Sequence, residues 1–375
     1  MTTNTGNAAG MAGARPPLEH LLLELLGMTC TTGDEGPIAE WVEHRYIDAG
    51  ETVRRVGNSV VAGVLDASRP NVALVGHLDV VPPTPADTEP RIDGGRIVGR
   101  GASDMKSGLA VAMSCFEDAG LRHGPCNLVL VAYAGEEGPP EGNELLPVLE
   151  AVPELRQLRL AIVLEPTDLG VQLGCLGAVH AEIVFRGRAA HAARPWHGAN
   201  ALAAAGPFLQ ELHELAPQTV TVDDLEYREV VTATQAWTGD APGAVGSRNV
   251  VPAAFTVYVD HRFAPDKDVA CAIRNLERLV KGRAEVRPVV QAPAAPPCRR
   301  DPAVRAFIDR VGAAVSAKQA WTDVARFTAC GVPALNYGPG LTAEAHQAGE
   351  HVPVVNLYEA DRALRRFLAT PLPTA

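Results

Sequence analysis

Short apolar runs alternate with amphipathic stretches through the first half of this chain. Residues 71–76, 127–134 and 158–164 are dominated by Val, Leu, Ile and Ala, the composition of strands buried on both faces of a parallel sheet. Residues 19–26, 37–48 and 107–117 read as helices, the first two separated by the polar loop 32–36. Strands alternating with helices predict an α/β fold with a mostly parallel sheet. Ligands on such sheets bind at the carboxyl ends of the strands.

The pattern changes near Gly174. Residues 178–186 alternate polar and apolar, as a half-exposed antiparallel strand does. Residues 199–215 read as a helix, 227–236 and 253–263 as strands, and 268–281 as a second helix. Two helices on one face of an antiparallel sheet make a small α+β unit. The Pro- and Ala-rich stretch 288–302 reads as a linker. A helix at 304–314, a strand at 332–337 and a closing helix at 357–368 then resume the first pattern. The chain is thus expected to build one domain from 18–177 and 288–375, with a second domain inserted at 178–287. A flexible Gly-, Ala-, Thr- and Asn-rich segment, 1–17, precedes them.

Composition narrows the function. A length of 375 residues suits two domains, and an apolar content of 47% excludes disorder as the main state. Lys and Arg total 33 against 44 Asp and Glu, a net charge of −11, which argues against nucleic acid or an anionic membrane as the main partner. No uncharged apolar run approaches the roughly 18–20 residues that span a bilayer. The N-terminus lacks the basic-then-apolar order of a secretory signal. The seven cysteines are scattered, with no Cys-x-x-Cys pair, so a reducing, cytoplasmic setting is expected.

Several polar residues end the apolar runs. His77-Leu78-Asp79 closes the first, where a His can ligate a metal and a nearby carboxylate can set its tautomer. Asp104 lies in a Gly-rich loop that opens a helix, where a simple N-cap is the ordinary alternative. Glu136 and Glu137 end the second run. Adjacent carboxylates repel unless a cation or a proton relieves them, and their side chains diverge, so one can bind a metal while the other faces a water. Glu165 ends the third run, and His346 lies in a distant polar loop. Each alone reads at least as readily as an ordinary loop, capping or surface residue. Together they place two His and a set of acids on one sheet edge, and mixed N/O donors suit Zn²⁺, Co²⁺ or Mn²⁺.

These segments, 77–79, 101–108, 136–137, 165–167 and His346, resemble the M20 family of di-metal aminoacylases and peptidases, in order and over roughly residues 18–368. The resemblance implies a di-metal hydrolase domain with an inserted α+β lid and dimerisation domain. It further implies two divalent ions, Zn²⁺ foremost. His77 and Glu165 would hold one ion, Glu137 and His346 the other, and Asp104 would bridge them. Glu136 would be the general base, with Asp79 behind His77. Residues 187–195 look like the family's lid motif, whose His, here His191, reaches the partner subunit's site in dimeric members and polarises the scissile carbonyl. His180, His197, His261 and His351 receive no role.

Segments 173–177, 193–196, 248–252 and 260–265 look most like the family's desuccinylase branch. That likeness implies hydrolysis of N-succinyl-LL-2,6-diaminopimelate, with Asn249 and Arg262 contacting substrate carboxylates. An acetylornithine-type deacetylase, a dipeptidase or carboxypeptidase, and a non-catalytic binding homologue are the alternatives. The expected partners are a small N-acyl amino acid and a second copy of the chain. Two departures bear on the substrate: Cys175-Leu176 stands where some members carry an Arg, and Ala320-Trp321-Thr322-Asp323 replaces a Gly-rich turn. Arg326 and Asn336 are further candidate pocket residues.

Overall fold

The computed structural model describes residues 17–28, 30–239, 241–242 and 247–373. The expected flexible segment at 1–17 lies, apart from Pro17, outside the described residues.

The three apolar runs are adjacent strands at the centre of an eight-stranded sheet. Asn71–His77 lies between Asn127–Tyr133 and Leu160–Val163 and is parallel to both. Every residue of the three is buried. Alternation along the pleat sends their side chains to two cores, one on each face. Val72, Leu74, Leu130 and Ile162 join the helices Leu18–Gly27, Lys106–Phe116 and Val354–Leu368. Ala73, Val75, Val131 and Val163 join Leu145–Ala151 and Val324–Ala329. Each fully buried Val or Leu contributes about 1.5–3 kcal/mol relative to exposure, so both faces reward continuous apolar sequence.

Ala334–Asn336 extends the parallel centre beside Leu160–Val163, and Val171–Leu173 pairs with it antiparallel. The opposite edge is the antiparallel hairpin Val53–Val56 and Ser59–Ala62, which the sequence reading did not anticipate. The sheet is mixed but mostly parallel, as expected.

A separate five-stranded antiparallel sheet has the order Gln218–Val222, Leu225–Thr238, Ala254–Phe263, Gly177–Arg186, Glu285–Ala292. Val179, Ala181, Ile183 and Phe185 face the helices Ala201–Glu214 and Val269–Val280 in a third core. On the other face, His180 is opposite Asp260 and Ala178 opposite Arg262.

The linker reading of 288–302 needs correction. Residues 288–292 end the strand Glu285–Ala292, with Pro288 opposite Ala181 and a register shift before Val290. Proline is tolerated there because the strand is at an edge, where one N–H row has no ladder partner. Among the described residues no helix is long and apolar enough to cross a membrane.

Candidate metal centre

His77 is the last residue of its strand and is wholly buried. Its Nδ1 lies 3.0 Å from the backbone carbonyl of Asp79, an acceptor only, so Nδ1 carries a proton and Nε2 is turned to Asp104 Oδ1 at 3.3 Å. Burial opposes a charged imidazole here. The Asp104 hydrogen bond and the charges of Glu136 and Asp79 outweigh it and hold His77 well above the ordinary imidazole value.

Asp79, also fully buried, organises the next loop. Its Oδ1 accepts the N–H of Glu136 at 3.1 Å. Its Oδ2 accepts the N–H of Glu137 at 3.0 Å and the Thr32 hydroxyl at 2.8 Å. Gly135 makes the turn into this loop at φ +78, where an added Cβ would sit 2.1 Å from the Gly142 carbonyl oxygen.

Asp104 is held by a residue the sequence reading did not single out. Glu350 is 1% exposed. Its Oε1 accepts the N–H groups of Ser103 and Asp104, both at 2.8 Å, and its Oε2 accepts Gly101 N–H at 2.9 Å and Arg100 Nη1 at 3.1 Å. Burial raises the Asp104 carboxyl, but the His77 hydrogen bond and charge outweigh it and hold Asp104 below the ordinary value, with a further lowering from Lys318, a buried lysine whose charge also opposes the rise of Glu165. Lys318 too was missed. No sequence signal separates it or Glu350 from surface charges.

His346, at φ +63, approaches Glu137 at 3.1 and 3.0 Å and Asp104 Oδ2 at 3.6 Å. Two groups could each hold a metal ion: His77 with Glu136 and Glu137, and Asp104 with Glu137 and His346. Glu165 is in neither. It is buried beside them, its Oε1 has no hydrogen-bond partner, and burial, then the Asp104 charge, pushes its pKa up to about 7. Burial and the charge of Glu165 likewise push Glu136 well above the usual carboxylate range. An orphaned buried carboxylate oxygen among several acids is the chemistry a divalent cation relieves, so the residues present fit one.

A cavity of about 760 Å³ opens beside Glu136, lined also by Asn143, His180, Arg262, Trp321 and Arg326. Of the seven residues His77, Asp79, Asp104, Glu136, Glu137, Glu165 and His346, Glu136 alone lines it. Arg262 reaches it with its Nε bonded to both oxygens of Asp260, at 2.9 and 3.0 Å. His180, given no role from sequence, lies beside it, its Nε2 3.4 Å from Asp260 Oδ1. His191 and Asn249 are elsewhere. His191 is exposed and pairs with Val250 in a two-stranded ribbon, and the backbone carbonyl of Asn249, also exposed, accepts Ala192 N–H at 2.8 Å. Neither lines this cavity. Asn336 is buried, bonded to Thr322 Oγ1 at 2.9 Å.

Residues 73–370 match peptidase family M20/M25/M40. The chain is 36% identical over 355 residues to a Mycobacterium tuberculosis protein provisionally named succinyl-diaminopimelate desuccinylase, covering 94% of this chain and 98% of that protein. It is 32% identical over 362 residues to the succinyl-diaminopimelate desuccinylase of Corynebacterium glutamicum, covering 93% and 95%. It is also 32% identical over 383 residues to the acetylornithine deacetylase of Myxococcus xanthus, covering 96% and 98%. The fold is similar to the aminopeptidase PepT of Bacillus cereus, with TM-score 0.74 at 17% identity over 94% of this chain and 97% of that one. It is likewise similar to an M20 family metallo-carboxypeptidase of Sulfolobus solfataricus, with TM-score 0.71 at 17% identity over 95% and 99%.

Proposed function

The chain belongs to peptidase family M20/M25/M40 and is a metal-dependent hydrolase, and from that premise we propose that it cleaves the amide of N-succinyl-LL-2,6-diaminopimelate. The observation that carries the reading is the unequal placement of two adjacent carboxylates. Glu137 belongs to both candidate metal groups, with His77 and Glu136 in one and with Asp104 and His346 in the other, while Glu136 is the one of the pair that also lines the cavity. A ligand and a base side by side are what hydrolysis at a metal needs, and a pure binding protein has no use for the second.

In this reading His77, Glu165, Glu137, His346 and Asp104 would hold two divalent ions, Zn²⁺ foremost with Co²⁺ or Mn²⁺ as alternatives. When bound, the ions supply water activation and polarise the amide carbonyl. Glu136 accepts the proton of the attacking water and passes it to the leaving amine. Its raised proton affinity suits that task. Asp79 keeps His77 in the tautomer that presents Nε2 and fixes the Glu136–Glu137 backbone. Arg262 offers a charged fork to a substrate carboxylate.

We further assign the eight-stranded sheet and its helices to the hydrolase domain and the five-stranded sheet to a lid and dimerisation domain, which moves the expected boundaries from 177/178 and 287/288 to the ends of the strands Gly177–Arg186 and Glu285–Ala292. The exposed positions of His191 and Asn249 fit residues that complete the site of a second copy. The seven free cysteines fit a cytoplasmic setting.

Hydrolysis of N-succinyl, N-acetyl and dipeptide substrates with added Zn²⁺ or Co²⁺ tests the reading. N-succinyl-diaminopimelate should have the highest kcat/KM. A preference for N-acetylornithine, the substrate class named for the Myxococcus relative, would overturn the desuccinylase assignment. Failure to cleave any N-acyl amino acid would overturn the amidohydrolase one.

A further inference from the structure

The cavity beside Glu136 holds two arginines, Arg262 from the antiparallel sheet and Arg326 from the helix Val324–Ala329. The sequence marks Arg326 only as a candidate pocket residue, and the proposed reaction gives it no role. Its Nε donates to Asp323 Oδ1 at 2.6 Å. Asp323 is wholly buried and anchored through its other oxygen by Tyr133 Oη at 2.7 Å and Asn143 Nδ2 at 3.0 Å. The guanidinium carbon lies 5.5 Å from the Trp321 ring centroid, and the Trp321 indole N–H donates to the Pro293 carbonyl at 3.1 Å.

The side chain is therefore fixed on two sides, by an ion pair at Nε and by a ring. Its terminal nitrogens, Nη1 and Nη2, have no hydrogen-bond partner among the described residues. With Nε occupied, those two nitrogens form the end-on fork that takes a carboxylate bidentately. Asp323 divides its charge among three donors, so it does not neutralise Arg326 outright. The surrounding lining is apolar, including Leu146, Val289 and Ala325. Such walls strengthen a charged contact and suit a methylene chain.

We propose that Arg326 reads a substrate carboxylate remote from the scissile amide, so that Arg326 and Arg262 together select N-acyl amino acids with anionic groups at both ends. The inference rests on the amidohydrolase reading and deepens its substrate class. Two carboxylates qualify, one on the acyl group and one at the far end of the amino acid, and the experiment separates them.

Arg326→Gln and Arg326→Lys would be compared with wild type on three substrates. These are N-succinyl-diaminopimelate, N-acetyl-diaminopimelate, which lacks the acyl carboxylate, and Nα-succinyl-lysine, which lacks the distal one. Arg326→Gln should lower kcat/KM for the first by about ten- to a hundredfold, the cost of a charge-assisted hydrogen bond. Its penalty should shrink to less than about threefold on whichever shorter substrate lacks the carboxylate that Arg326 reads. Arg326→Lys keeps the charge without the fork, so it should show a smaller penalty with the same substrate pattern. It carries the test if the Gln variant does not fold. An equal penalty on all three substrates would mean that Arg326 only braces Asp323, and would overturn the inference while leaving the amidohydrolase reading intact. Wild type inactive on all three would overturn the inference together with the desuccinylase assignment.

Discussion

The carboxylate of Glu350 accepts the backbone N–H of Asp104 at 2.8 Å, across 246 positions of sequence. The same side chain takes Ser103 N–H, Gly101 N–H and the Arg100 guanidinium, so one buried acid shapes the loop that presents Asp104. Glu350→Ala should leave these donors unpartnered, at about 1–3 kcal/mol for each that water does not reach. A lowered Tm of the metal-free protein, together with reduced bound metal, is expected. Unchanged values of both would show that the loop holds its shape without Glu350.

Glu136 and Glu137 should separate on substitution. Glu136→Gln is expected to keep the metal held by Asp104, Glu137 and His346 and lose about 10²–10⁴-fold in kcat, the usual contribution of a general base. Glu137→Gln should lose bound metal first, because it removes a ligand shared by both candidate groups. Elemental analysis beside steady-state kinetics reads both. A Glu136→Gln enzyme within threefold of wild type would refute its role as the base.

The raised pKa of Glu165 fixes a sign for the metal-free protein. Burial, then the Asp104 charge, holds this carboxyl at about 7 against an ordinary 4.5. The folded state therefore binds the proton more tightly than the unfolded state. Stability should be greatest below about pH 4.5 as far as this group is concerned, and should be lost as pH rises toward about 7, by on the order of a few kcal/mol. With chelator present, Tm should fall between about pH 5 and about pH 7, and Glu165→Gln should flatten that slope. Divalent metal should raise Tm most at the upper end, where the carboxylates are ionised. A wild-type slope of the opposite sign, or one that Glu165→Gln leaves unchanged, contradicts this account.

Action of His191 across a dimer can be measured by mixing. His191→Ala and Glu136→Gln chains should each be nearly inactive. After subunit exchange, half the dimers are hybrids with one intact site each, which restores about a quarter of wild-type activity. No recovery, with exchange verified, would place His191 outside the partner's site.

Much of the central sheet could be read directly. Residues 71–76, 127–134 and 158–164 announce themselves because a strand buried on both faces must be apolar throughout. The structure makes them Asn71–His77, Asn127–Tyr133 and Leu160–Val163, with alternate residues divided between two cores. The edge strand Glu285–Ala292 could not be read in full, because Pro288 is a local breaker and only its unpaired edge makes it acceptable.

Family likeness singled out His77, Asp104, Glu137 and His346, which the fold draws into contact. The braces of the site are another matter. Glu350, Lys318 and Asp323 are single charged residues with no local pattern, and chemically identical residues elsewhere in the chain are solvated. Asp323 finds Tyr133 across 190 positions and Asn143 across 180. The amino-acid sequence by itself determined where the doubly buried strands and the main helices form and which residue types end those strands, because those depend on burial and periodicity over a few neighbours. Tertiary structure alone decided which acids lose their water and what then compensates them. Desolvation depends on everything packed around a group, and most of what surrounds these acids lies far away along the chain.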